Sequence, residues 1–111
     1  MIRKECPSYP VSIFIAGQDV ALAENICGEY CDLVGLCVTV TMTFYVYTGG
    51  KECGLIIGLI NYPRFPSDPE TIWSHAEALA ERLRIALKQD SYSIQAPDKT
   101  VWISFRQDPP Q

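Results

Sequence analysis

The segment Asn61-Tyr-Pro-Arg-Phe-Pro66 sets an arginine between two aromatic residues and two prolines, directly ahead of a helix start. The prolines stiffen the loop, so Arg64 and Phe65 are held there at little entropic cost. Free amides at a helix N-terminus favour an anion, and Arg64 adds a fork suited to phosphate or carboxylate. Tyr62 and Phe65 offer rings to stack on a base, with Asn61 beside them. Together these residues describe a nucleotide or acidic-metabolite site. The competing reading pairs Arg64 with Asp68 or Glu70, acids at the same helix start, and packs the two aromatics into the corner.

Other chemistry is sparse. Cys27 and Cys31 share a helical face and Cys37 follows, but the Cys-x2-Cys knuckle of a zinc site is missing, so buried small apolar residues explain all three. His75 is the only histidine, and its place on the polar side of a helix leaves no base for a thiol nucleophile. Glu77 and Glu81 are spaced as a pair along that helix yet read as solvated. There is no P-loop, no Gly-x-Gly-x-x-Gly and no Gly-x-Ser-x-Gly. The expectation is no catalytic residue, no metal and no cofactor.

The positioning elements are legible from periodicity. Val11 to Ala16 alternates as a strand, and Asp19 caps a helix from Val20 to Val34 that Gly35 ends. Leu36 to Thr48 is a long alternating strand, and Thr48-Gly-Gly-Lys51 is a hairpin turn. Cys53 to Tyr62 is apolar on both faces, which predicts a strand covered on both sides. The second helix starts at Ser67 to Glu70, either with a Ser67 capping box or with Asp68 as cap and Pro69 at the first helical position, and runs to about Lys88. Ser91 to Ala96 and Thr100 to Phe105 are short strands. The order predicts an α+β, ferredoxin-like (split βαβ) antiparallel sheet with both helices on one face and an extra C-terminal strand. A single domain spans residues 1–111, with 1–8 and 107–111 as flexible extensions.

That fold leaves one sheet face open. With Val38, Val40, Met42, Phe44 and Val46 toward the helices, Thr39, Thr41, Thr43, Tyr45 and Tyr47 line the open side. Such a row is either a hydrated surface or an interface, since tyrosine supplies large contact area at low entropic cost. Homodimerisation or docking of a partner on this face is the expectation. A net charge of −4 argues against nucleic-acid backbone and anionic membrane as partners. Five cysteines and no apolar segment after Met1–Pro7 place the chain in a cytoplasm with reduced thiols.

The runs Gly35-Leu-Cys-Val-Thr-Val-Thr41, Tyr45-Val-Tyr-Thr-Gly-Gly50, Gly58-Leu-Ile-Asn-Tyr-Pro-Arg-Phe-Pro66 and Gln95-Ala-Pro-Asp-Lys-Thr-Val-Trp102 resemble small proteins encoded in tailed-phage and prophage genomes. The resemblance implies a setting, an infected bacterial cytoplasm, and brings no assigned activity. Acylphosphatases share the topology, but Gly17-Gln18-Asp19 puts an acid where their loop holds phosphate. The function expected is therefore a non-enzymatic interaction protein, a phage accessory or anti-defence factor that binds a host protein. The alternative is a binder that sequesters an anionic nucleotide or metabolite at Asn61, Tyr62, Arg64 and Phe65. A small phosphate-ester or acyl-phosphate hydrolase comes third.

Overall fold

The computed structural model describes residues 1–107; the expected extension beyond Gln107 lies outside the described residues. The elements are β1 (Val11–Ala16), α1 (Val20–Val34), β2 (Thr39–Tyr47), β3 (Gly50–Leu59), α2 (Pro69–Leu87), β4 (Ser91–Gln95) and β5 (Thr100–Ser104). They form an α+β fold, a five-stranded antiparallel sheet in the order β2-β3-β1-β4-β5 with two helices, as the ferredoxin-like reading predicts. The extra C-terminal strand is β5, which pairs with β4 at the sheet edge.

Both helices pack on one face. Alternation in β1 sends Val11, Ile13 and Ile15 down onto them, and the register aligns Ile13 with Ile57 and Ile94 in one buried row. Ala23, Cys27 and Tyr30 of α1 and Ile72, Trp73, Ala76, Leu79, Ala80 and Leu83 of α2 fill the other side of this core. Helix starts are set by capping carboxylates. Asp19 accepts from the Leu22 amide at 3.0 Å, and Asp68 accepts from the Thr71 amide at 2.7 Å with Pro69 at the first position. The Ser67 box is thus not the one used. Gly35 takes the left-handed conformation that closes α1, and its amide donates to Cys31 O at 2.8 Å.

Three expectations are corrected. Only Val38 and Val40 of the long β2 stripe reach the core; Met42, Phe44 and Val46 are 69%, 67% and 77% exposed. The β2–β3 hairpin is longer than the helices that cover the sheet, so its outer half projects in a molecule 54 Å long and 23 Å across. His75 is not on a free polar face: its Nδ1 lies 2.8 Å from Tyr30 Oη, bridging the two helices. Glu81 is not simply solvated, because it binds the Arg84 guanidinium and accepts from Tyr92 Oη at 3.0 Å, joining α2 to β4. Arg84 also lies 3.8 Å from the Phe105 ring, so the last strand is tied to the same cluster.

On the open face two glycines of β3 admit side chains of β2. Tyr45 lays its ring across Gly54 and donates from Oη to Leu55 O at 2.5 Å, while Thr39 Oγ1 sits over Gly58. A Cβ on Gly54 would enter the Tyr45 ring and stand 3.0 Å from Ile15 O. Burial raises the Tyr45 phenol above its ordinary range; an Ile15 backbone hydrogen bond opposes this and the Glu52 carboxylate adds to it. Gly49, at φ +88°, makes the tight hairpin, so the turn proper is Thr48-Gly49 and Gly50 already pairs with Tyr47.

Two outcomes follow from this packing. Gly54→Ala is expected to destabilise the fold by about 1–3 kcal/mol, through overpacking against a ring and a backbone oxygen that cannot both yield. A urea titration of the variant against the parent chain measures it, and an unchanged midpoint would contradict this account of the hairpin. Arg84 and then Tyr92 hold the Glu81 carboxyl below the usual carboxylate range, against a desolvation cost that acts the other way. The folded pKa is therefore below the unfolded one, so the stabilisation is present above the ordinary glutamate value and is lost as pH falls through the folded value. Glu81→Gln should thus lower stability at neutral pH and flatten its decline in acid, as read by denaturation midpoints at a series of pH values.

Candidate functional site

Positions paired across the ladder share a face, so the register assembles the open side of the sheet directly. One row reads Thr41, Ile56, Phe14, Ser93 and Trp102 from β2 to β5. The flanking row holds Thr43, Gly54 and Ala16, and beyond it Tyr45 pairs with Glu52. Because Tyr45 lies down over Gly54 and Ala16 carries only a methyl group, the sheet is hollowed between the aromatic residues. The result is a depression of about 340 Å³ walled by Phe14, Tyr45 and Trp102, with Ser91 and Ser93 between them.

Charge in the depression is mixed in a definite way. Glu52 and Asp90 bring carboxylates, and Arg106 brings a guanidinium. Arg106 donates to Ser91 Oγ at 2.9 Å and lies 5.9 Å from the Trp102 ring, which leaves that ring 57% exposed. Three aromatic faces with two carboxylates favour a ligand that is flat in one part and cationic in another. The lone guanidinium suits a carboxylate at the ligand's end.

Of the residues singled out from the sequence, Thr39, Thr41, Thr43, Tyr45 and Tyr47 all stand on this face as predicted, but only Tyr45 walls the depression. Tyr47 is at the hairpin tip over Gly50. Asn61, Tyr62, Arg64 and Phe65 belong elsewhere: from Glu52 to Leu59 alone, β3 runs about 23 Å at ~3.3 Å per residue. Asn61 is buried, and its side-chain amide donates to Pro7 O at 2.8 Å and accepts from the Ser67 amide at 2.9 Å. These two bonds clip the N-terminal segment to the start of α2. Tyr62 and Phe65 stack at 5.7 Å, and Arg64 lies 5.5 Å from the Phe65 ring and makes no ion pair with Asp68 or Glu70.

Sequence reasoning left open whether Ile13 or Phe14 faces this side, and it did not single out Glu52, Asp90, Trp102 and Arg106. The available signal was Trp102, a large aromatic on the polar phase of a strand whose Val101 and Ile103 face the other way. The cysteines are not gathered: Cys27 is buried and its thiol is pushed up to about 11, by burial first and then by Cys31 and Glu24, while Cys37 is exposed. No helix among the described residues is long and apolar enough to cross a membrane.

No family model and no curated protein matches this chain. Solved structures do. A phage SAM lyase, in complex with S-methyl-5'-thioadenosine and again in its apo state, is similar at a TM-score of 0.66 with 16% identity, over 94% of this chain and 95% of that one. CutA1 from Oryza sativa is similar at a TM-score of 0.48 with 14% identity, over 81% of this chain and 77% of that one. The phage source of the first accords with the resemblance to phage-encoded proteins. It also overturns the expectation of a non-enzymatic interaction protein: the chain that shares this fold almost end to end is an enzyme.

Proposed function

We propose that this protein is an enzyme that cleaves S-adenosylmethionine, acting at the open-face depression. The carrying observation is charge complementarity around an aromatic hollow. The substrate bears a sulfonium, an ammonium and one carboxylate; the depression offers Glu52, Asp90 and one guanidinium, Arg106. Trp102, the most accessible ring, stacks the adenine, while Phe14 and Tyr45 face the sulfonium with their π-surfaces. The likeness to a SAM lyase supports this reading through the shared fold.

The chemistry needs no co-reactant. A carboxylate oxygen of the substrate attacks its own γ-carbon and the S–Cγ bond breaks. Its electron pair returns to sulfur, giving neutral S-methyl-5'-thioadenosine and an amino-lactone that keeps the ammonium. Two opposite charges vanish in this step, so displacement of water from the aromatic walls by the bound substrate speeds it. The chain's own groups have positioning work. Arg106 holds one carboxylate oxygen and leaves the other to attack, and Glu52 pairs with the ammonium so that the amino-acid arm folds back over Cγ. In an infected cell, loss of S-adenosylmethionine withdraws the methyl donor from modification and from defence systems that depend on it.

Incubation of the purified full chain with S-adenosylmethionine in ¹⁸O-water, followed by mass spectrometry, tests the reading. The expected outcome is S-methyl-5'-thioadenosine together with a lactone free of ¹⁸O at first appearance. Substrate recovered intact, or homoserine labelled from the start, would sink it. Trp102→Ala should raise KM about tenfold, in line with the ~1–3 kcal/mol of base–aromatic stacking. Glu52→Gln should lower kcat/KM by about tenfold or more.

A further inference from the structure

At the far end of β3 from the depression, the N-terminal segment crosses the loop that follows the strand. Asn61 makes the crossing rigid, because its buried amide grips Pro7 O on one side and the Ser67 amide on the other, and Cys6 Sγ lies 3.4 Å from Asn61 O. The loop itself is closed by the Phe65 amide donating to Tyr62 O at 2.8 Å. Between segment and loop lies a second depression, of about 730 Å³, lined by Ile2, Lys4, Ile60, Tyr62, Pro63 and Arg64.

Its composition is the reverse of the first. Both charged residues are cations, brought together from opposite halves of the chain, and no carboxylate lines the wall. Among the described residues neither Lys4 nor Arg64 makes an ion pair, although the chain as a whole carries a net charge of −4. Ile60 is 53% exposed and Tyr62 39%, so an apolar wall with one ring stands beside the two cations. The depression is open to solvent, with Ile2 87% exposed, and is large enough to take a small molecule. Two cations suit a dianion, and the flat apolar wall suits a ring attached to it.

We infer that this corner is a second ligand site, which takes a phosphate monoester of a ring-bearing alcohol, a nucleoside 5'-monophosphate being the accessible example. Lys4 and Arg64 hold the phosphate, and Tyr62, Pro63 and Ile60 cover the ring. The site lies at a distance from the open-face depression and does not rest on the activity proposed there.

Titration of the ¹⁵N-labelled full chain with adenosine 5'-monophosphate, observed by amide NMR, tests this. Saturable shifts are expected at Ile2 to Lys4 and at Ile60 to Arg64. Inorganic phosphate should move the same amides at about tenfold higher concentration, for want of the ring. Arg64→Ala and, separately, Lys4→Ala should each weaken binding about tenfold, with the dispersed spectrum of the folded chain retained. Cleavage of S-adenosylmethionine by Arg64→Ala should equal that of the parent chain. No shift at the corner at several millimolar would overturn the proposal, as would equal binding by both variants, or shifts by adenosine matching those of the monophosphate. Shifts confined to Tyr45, Glu52 and Trp102 would also overturn it, by placing the nucleotide in the first depression, while leaving the lyase reading intact.

Discussion

Burial of Val11, Ile13 and Ile15 beneath the two helices is the constraint on which the rest of the molecule depends. Because β1 lies between β3 and β4, its phase sets the phase of both neighbours: once Ile13 points down, Ile57 and Ile94 must as well. The same decision sends Phe14, Ile56 and Ser93 up. A one-residue slip would exchange the two sets and expose the whole core. The open face is thus a by-product of core formation, and its contents are whatever residues occupy the other phase. In this chain, Ile56 and Glu52 apart, they are aromatic, small or hydroxylated, which makes a hollow rather than a flat sheet.

Shape on that face comes from what is missing. Gly54 and Gly58 give up their side chains so that Tyr45 and Thr39 can lie against the ladder. Glycine within a strand weakens it, by lost packing and by entropy, and tolerating three of them in β3, Gly50 included, requires a return elsewhere. Part of it is the Tyr45 hydrogen bond to Leu55 O, which fixes the ring that walls the depression. The opposite end of β3 is governed by a buried polar group instead. There Asn61 satisfies a carbonyl and an amide that would otherwise go unpaired, and in doing so sets where Lys4 and Arg64 lie relative to each other.

Most of the fold could be read from the sequence, because its elements obey simple periods and end on recognisable caps. The bounds of β1 and α1 follow from alternation and from Asp19 and Gly35. The limits of β2 and β3 were shifted, since alternation cannot say where a partner strand runs out: Ile60 to Phe65 keeps an apolar pattern but leaves the sheet. Nor can alternation say how far a helix reaches along the sheet, so Met42, Phe44 and Val46 look like core residues and are not. The site was less visible. Tyr45 stood out as one of a row, but Phe14, Glu52 and Trp102 come from three different strands and meet only through register. The Asn61–Phe65 loop was conspicuous for its composition, but the bonds by which Asn61 fastens the N-terminal segment to α2 could not be read from it.

The position of β1 in the middle of the sheet has a bearing on how the chain is made. Its first partner, β3, is synthesised only after α1 and β2, and its second, β4, only when Gln95 comes to lie opposite Ser12. β1 therefore waits, unpaired on one edge, until β4 has been translated. Closing contacts of such long sequence separation slows folding. The emergence of β4, rather than that of β1, is thus what completes the centre of the sheet and with it both walls around Phe14.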